Sequence, residues 1–112
     1  MTQQQAVLLR EADLPRADRG NGAFTTRLVN RSCGSQSMIN YITTIPPKGA
    51  TPLHYHNCEE SVLVLSGKGI AVVGETELAV ETGDITCTPA NLPHQFRNGS
   101  DSDNTRIFQI YA

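Results

Sequence analysis

His54-Tyr55-His56-Asn57-Cys58-Glu59-Glu60 is the stretch that decides how this chain folds. Side chains at i and i+2 of an extended strand share a face. Both imidazoles therefore point one way and Tyr55 the other. Asn57, Cys58 and Glu59 read as a turn or bulge, after which Glu60 opens the next strand and can return its carboxylate to the same face. Two imidazoles and a carboxylate on one face are a donor set for a divalent metal. An isolated pair of this kind on a solvent-facing strand is more often two hydrated histidines, so the surrounding sequence has to separate the two readings.

The surroundings carry two spaced patterns. Gly49, His54, His56, Glu60 and Gly67 stand as G-x4-H-x-H-x3-E-x6-G, and Gly83, Pro89, His94 and Asn98 as G-x5-P-x4-H-x3-N. Together they resemble the two motifs of the cupin superfamily, with Lys68 to Thr82 as the short spacer between them. There are two departures. The gap after Gly49 is one residue short, and Asn91 stands where the family commonly has glycine. Asparagine also tolerates a left-handed backbone, so the turn is expected to survive.

The resemblance implies a double-stranded β-helix, a jelly-roll-like barrel, holding one metal ion between His54, His56, Glu60 and His94. The chain has three histidines and all of them fall on these ligand positions. Mixed nitrogen and oxygen donors suit Fe, Mn, Ni, Cu, Zn or Co and leave the identity of the divalent transition metal open. Four protein ligands leave an octahedral ion two free positions, as catalytic sites require, whereas a closed four-coordinate zinc would be structural. Cupins that oxidise thiols typically use three histidines alone, so Glu60 argues against that class. By resemblance the full set occurs in dioxygenases of enediols and flavonols, in oxalate-handling enzymes and in isomerases and lyases.

The rest of the chain fits an all-β, single-domain barrel. Short runs rich in Val, Ile, Thr, Tyr and Phe lie near 24–29, 36–45, 51–57, 60–66, 68–74, 77–81, 84–88, 94–98 and 104–111, separated by turn residues. Ser66-Gly67, Gly74-Glu75, Glu81-Thr82-Gly83-Asp84 and Pro46-Pro47-Lys48-Gly49 are the clearest reversals. Residues 1–22 are polar and read as an N-terminal arm or edge segment, with the barrel over 23–112. No long helix is expected.

With 112 residues, 38% hydrophobic and 18% charged, the chain is sized for one core. A net charge of −2 without a basic run argues against nucleic acid as a partner. No apolar stretch is long enough for a membrane span. Met1 to Leu14 lacks an apolar leader, and Cys33, Cys58 and Cys87 are odd in number without a CxxC pair. The expectation is a cytoplasmic protein with reduced thiols. Analogy with small cupins adds a homodimer paired through a sheet edge.

Alternation also sorts the pocket. Pro52, Val62, Val64 and Phe96 are expected to face inward with the ligands, giving a mostly apolar floor. Arg27, Gln36, Asn40, Tyr41, Cys87 and Gln109 are the polar groups available to complete it. Arg27 is either an anchor for a carboxylate or a solvated surface arginine. Tyr41 is either a general acid or a core tyrosine with its hydroxyl at the rim. The functional expectation is a metal-dependent enzyme acting on an oxygen-rich small molecule, of dioxygenase type or else an isomerase or decarboxylase. The alternative is a non-catalytic small-molecule binding or sensing module.

Overall fold

A computed structural model describes residues 6–111. The chain runs β1 (Arg16–Gly20), β2 (Ala23–Arg27), β3 (Ile39–Ile45), β4 (Glu60–Ser66), β5 (Lys68–Val73), β6 (Thr76–Glu81), β7 (Ile85–Thr88), β8 (His94–Asn98) and β9 (Thr105–Tyr111). Two single-turn 3-10 segments, Glu11–Asp13 and Arg31–Cys33, are the helical elements among the described residues. Every pairing between named strands is antiparallel. One sheet has the order β1-β2-β3-β9-β4-β7, and the other β6-β5-β8.

The interior is divided along its length. Ile45, Val62, Val64, Ala71, Val80, Phe96 and Ile107 form an apolar cluster, contributed by both sheets as alternating inward residues. Toward the opposite end the buried residues turn polar: Thr25, Thr43, Gln109, Glu60 and His94. All but His94 are linked across four strands. The hydroxyls of Thr25 and Thr43 share a hydrogen bond (2.9 Å), Thr43 donates to Gln109 Oε1 (2.5 Å), and Gln109 Nε2 donates to Glu60 Oε1 (3.3 Å). The chain from β2 through β3 and β9 to β4 thereby orients one carboxylate.

The strand expected over 51–57 is not a regular strand. In place of a continuous ladder it has isolated bridges, Ala50 with Arg97 just before it and His54 with His94 within it. Thr51 donates its N–H to the Phe96 carbonyl (2.9 Å) and His54 its own to that of His94 (3.1 Å), so three steps along this segment match two along β8 and one extra residue is bulged out between them. Pro52 is exposed, not inward as expected, and its carbonyl turns back to meet the His54 ring. The strand expected from residue 36 begins at Ile39, and Gln36 is exposed. Within the expected arm, Arg16–Gly20 pair with β2 as the outer strand of the larger sheet.

The expected reversals lie between the observed strands. Gly67 has a φ of +92°, and a Cβ there would meet the Asn104 carbonyl oxygen at 2.8 Å, so only glycine fits between β4 and β5. Asn91 takes a φ of +66°, the left-handed conformation expected of it. Val62, Val64 and Phe96 are buried as alternation required. No helix among the described residues is long and apolar enough to cross a membrane.

Candidate metal centre

Four side chains converge at the polar end of the barrel. His54 sits at its bridge to β8, His56 in the following loop, Glu60 at the start of β4 and His94 at the start of β8. One ring nitrogen from each histidine lies within 4.8 Å of those of the others. Glu60 Oε2 is 3.2 Å from His56 Nε2 and 3.6 Å from His94 Nε2, and Glu60 is 2% exposed.

The tautomers follow from the other ring nitrogens. His54 Nδ1 is 2.6 Å from the Pro52 carbonyl oxygen and His94 Nδ1 is 2.9 Å from that of Leu92. A carbonyl can only accept, so Nδ1 carries the proton in both rings. Each Nε2 is then left with a lone pair directed into the cluster. His54 Nε2, His94 Nε2 and Glu60 Oε2 are buried and have no hydrogen-bond partner among the described residues. Lone pairs facing a carboxylate oxygen repel, and burying them unpaired is costly. A divalent cation placed among them would answer all three at once, and the donor types suit a first-row transition metal.

Two tyrosines complete the cluster. The Tyr111 hydroxyl shares a 2.9 Å hydrogen bond with His56 Nε2, and the Tyr41 and Tyr111 hydroxyls are bonded to each other. Gln109 Nε2 also donates to the Tyr41 oxygen (3.3 Å). Burial, reinforced by the Glu60 charge, pushes the Tyr41 phenol well above its usual range. Burial and the bond to Tyr41 do the same for Tyr111. Both stay protonated donors at neutral pH. Burial lowers the His56 pKa from its ordinary value, against the opposing pull of Glu60.

The centre lies between two spaces. Inside, a small space of about 20 Å³ lies among His54, Glu60, His94, Val62, Ala71 and Phe96, room for one water-sized species. Outside, an open cavity of about 470 Å³ reaches His56, Tyr41 and Tyr111.

Of the other polar residues singled out from the sequence, Tyr41 and Gln109 join the site and Arg27 lines the outer cavity. Asn40 is structural, its Oδ1 accepting from the Val29 N–H at 3.0 Å. Cys87 and Gln36 are exposed and form no part of the cluster. Tyr111, Arg19 and Arg31 were not anticipated. Tyr111 carried a usable signal, because it stands two residues beyond Gln109 on the same strand.

Comparison with known proteins agrees with this geometry. The Cupin domain family matches residues 41–111, a span containing every residue of the cluster. The chain belongs to the cupin family. Auxin-binding protein 4 of Zea mays is 29% identical to this cupin over 88 residues, covering 70% of the chain but 43% of the plant protein. The chain thus spans less than half of that relative. Protein SchB of Streptomyces halstedii is 27% identical over 111 residues, covering 98% of this cupin and 80% of SchB. Among solved structures, the polyketide cyclase RemF of Streptomyces resistomycificus superposes with a TM-score of 0.82 at 21% identity, over 96% of this chain and 79% of RemF. That likeness establishes the barrel.

Proposed function

We propose that this cupin binds one divalent transition-metal ion through His54, His56, Glu60 and His94 and is an enzyme acting on an oxygen-rich small molecule. Oxygenation is the leading reaction class, ahead of isomerisation and decarboxylation. The observation that carries the reading is the set of buried, unpartnered donor atoms His54 Nε2, Glu60 Oε2 and His94 Nε2. When bound, the ion supplies Lewis acidity or oxygen activation.

The chain's own residues have separable tasks. Pro52 and Leu92, through their carbonyls, fix the imidazole orientations. Gln109 holds Glu60 by Oε1 and leaves Oε2 free for the centre. Tyr41 and Tyr111, kept protonated, stand at the side open to the larger cavity and can donate to a developing negative charge on a bound oxygen. The small volume of the inner space limits water there to about one molecule.

A second reading is non-catalytic binding, favoured by the relative whose name records binding of auxin. Elemental analysis tests the metal: wild type purified without chelator should hold close to one Fe, Mn, Co, Ni, Cu or Zn per chain, and His54→Ala and Glu60→Ala should lose it. A wild type that stays metal-free after reloading would end the proposal. Spectra of the cobalt-loaded protein then separate five- or six-coordinate exchangeable geometry, required for catalysis, from a closed tetrahedral site.

A further inference from the structure

Arg19, Arg27 and Arg31 line the same outer cavity, from β1, β2 and the 3-10 turn at Arg31–Cys33. No Asp or Glu lines it. Among the described residues the arginine ion pairs are Arg97 with Glu77 and Arg106 with Glu11, while Arg16 lies over the Phe24 ring. The three cavity arginines have no carboxylate of their own there. In a chain of net charge −2 this is a local reversal of sign, and a concave surface lined by one sign of charge concentrates the opposite ion.

The cavity also has direction. Arg27 is paired across the strands with Tyr41, Tyr41 is bonded to Tyr111, and Tyr111 to His56. Cations at the solvent end thus lead through two aromatic rings to the metal-facing imidazole. Ile39 adds apolar wall. A volume of about 470 Å³ is in the range of small-molecule sites.

We propose that this cavity is the ligand pocket and that it selects organic anions: the acid group pairs with Arg27 and Arg31, and the flat apolar body lies against Ile39, Tyr41 and Tyr111. The proposal takes the metal site above as the place where the far end of the ligand reacts. Binding itself needs only the cavity. Guanidinium groups at the rim favour a planar carboxylate over a neutral group of equal shape.

The test uses 2-naphthoate and its neutral counterpart 2-naphthamide, titrated by fluorescence into the full chain whose metal content has been measured. The acid should bind roughly tenfold more tightly at low salt, and the gap should shrink at about 0.3 M NaCl, where charges are screened within a few ångströms. An Arg27→Gln/Arg31→Gln double variant, altered at two exposed positions, should keep its fold by circular dichroism and its metal, yet lose the preference. Equal affinity for acid and amide, or a preference that survives in the double variant, would overturn the proposal, the latter because the ion would then be holding the carboxylate. Wild type that stays metal-free after reloading yet prefers the acid would sink the metal reading alone, and metal-loaded protein without the preference this one alone.

Discussion

The Tyr111 hydroxyl and His56 Nε2 are hydrogen-bonded to each other at 2.9 Å, and that same nitrogen faces Glu60 Oε2 at 3.2 Å. A metal ion can use His56 only by taking this nitrogen from the phenol. Tyr111→Phe removes the competitor while keeping the ring, and a net hydrogen bond contributes about 1 kcal/mol. Competition against a chromophoric chelator should show Zn²⁺ or Co²⁺ bound roughly fivefold more tightly by the variant. Weaker binding would mean that the hydroxyl supports the bound state.

Glu60 is expected to act on stability with opposite signs in the two metal states. Without metal its buried Oε2 faces neutral imidazole nitrogens and accepts no hydrogen bond, so Glu60→Gln should leave the midpoint of thermal unfolding unchanged or raise it. With saturating metal the wild type gains stability by mass action, about 2.7 kcal/mol at a concentration a hundred times Kd. In a domain of this size that is roughly 10–20 °C. The variant should show a much smaller rise on metal addition. Equal rises in both proteins would remove Glu60 from the ligand set.

The lowered pKa of His56 sets a pH dependence. The unfolded chain takes up a proton near the ordinary value of 6.5, and the folded chain only further down. Between those two points the unfolded state holds more protons, so stability rises with pH across the window. It is fully present above 6.5 and declines as pH falls through the lowered folded value. Urea titrations of metal-free protein should fall from pH 7 toward pH 5, and His56→Gln should flatten that slope. Metal binding should weaken over the same interval, since protons compete for the nitrogen.

Asn98 belongs to the second motif yet does not touch the centre. Its Nδ2 donates to the carbonyls of Ile45 (2.9 Å) and Asp103 (2.8 Å), and its Oδ1 accepts from the Ser100 N–H (2.8 Å). Asn98→Ala should cost about 1–3 kcal/mol by leaving buried main-chain groups unpaired. Chemical denaturation measures this, and metal content per folded chain should stay at the wild-type level.

Three of the four residues of the cluster were legible because their spacings are local, and His94 because it stands in a second spaced pattern. His54 and His56 share a face by simple alternation, and Glu60, Val62 and Val64 follow the same rule one strand later. The same rule failed at Pro52, because one extra residue lies between the bridge at Ala50 and that at His54 and shifts the alternation. Asn91 could be read in advance because a left-handed turn restricts its occupants to few residue types. The cavity arginines could not. Arg19 reaches the site only because Arg16–Gly20 pair with β2, and Arg31 only because Asn30 caps a single 3-10 turn by accepting from the Ser32 N–H. The hairpin and the cap are local, but what sets them beside Tyr111 is the long-range pairing of β3 with β9, which no short window of sequence records.

His54 and His94 exchange two main-chain hydrogen bonds, 3.1 Å and 2.8 Å long. The distance between these two donors is therefore set by peptide groups, which every amino acid carries, and not by the identity of neighbouring side chains. Substitutions in the wall of the outer cavity, the proposed ligand pocket, should leave that spacing unchanged. On the proposed reading, the grip on the ion and the choice of guest rest on different parts of the wall, so exchanging Arg27 and Arg31 should redirect the barrel while the His54–His94 spacing stays as it is.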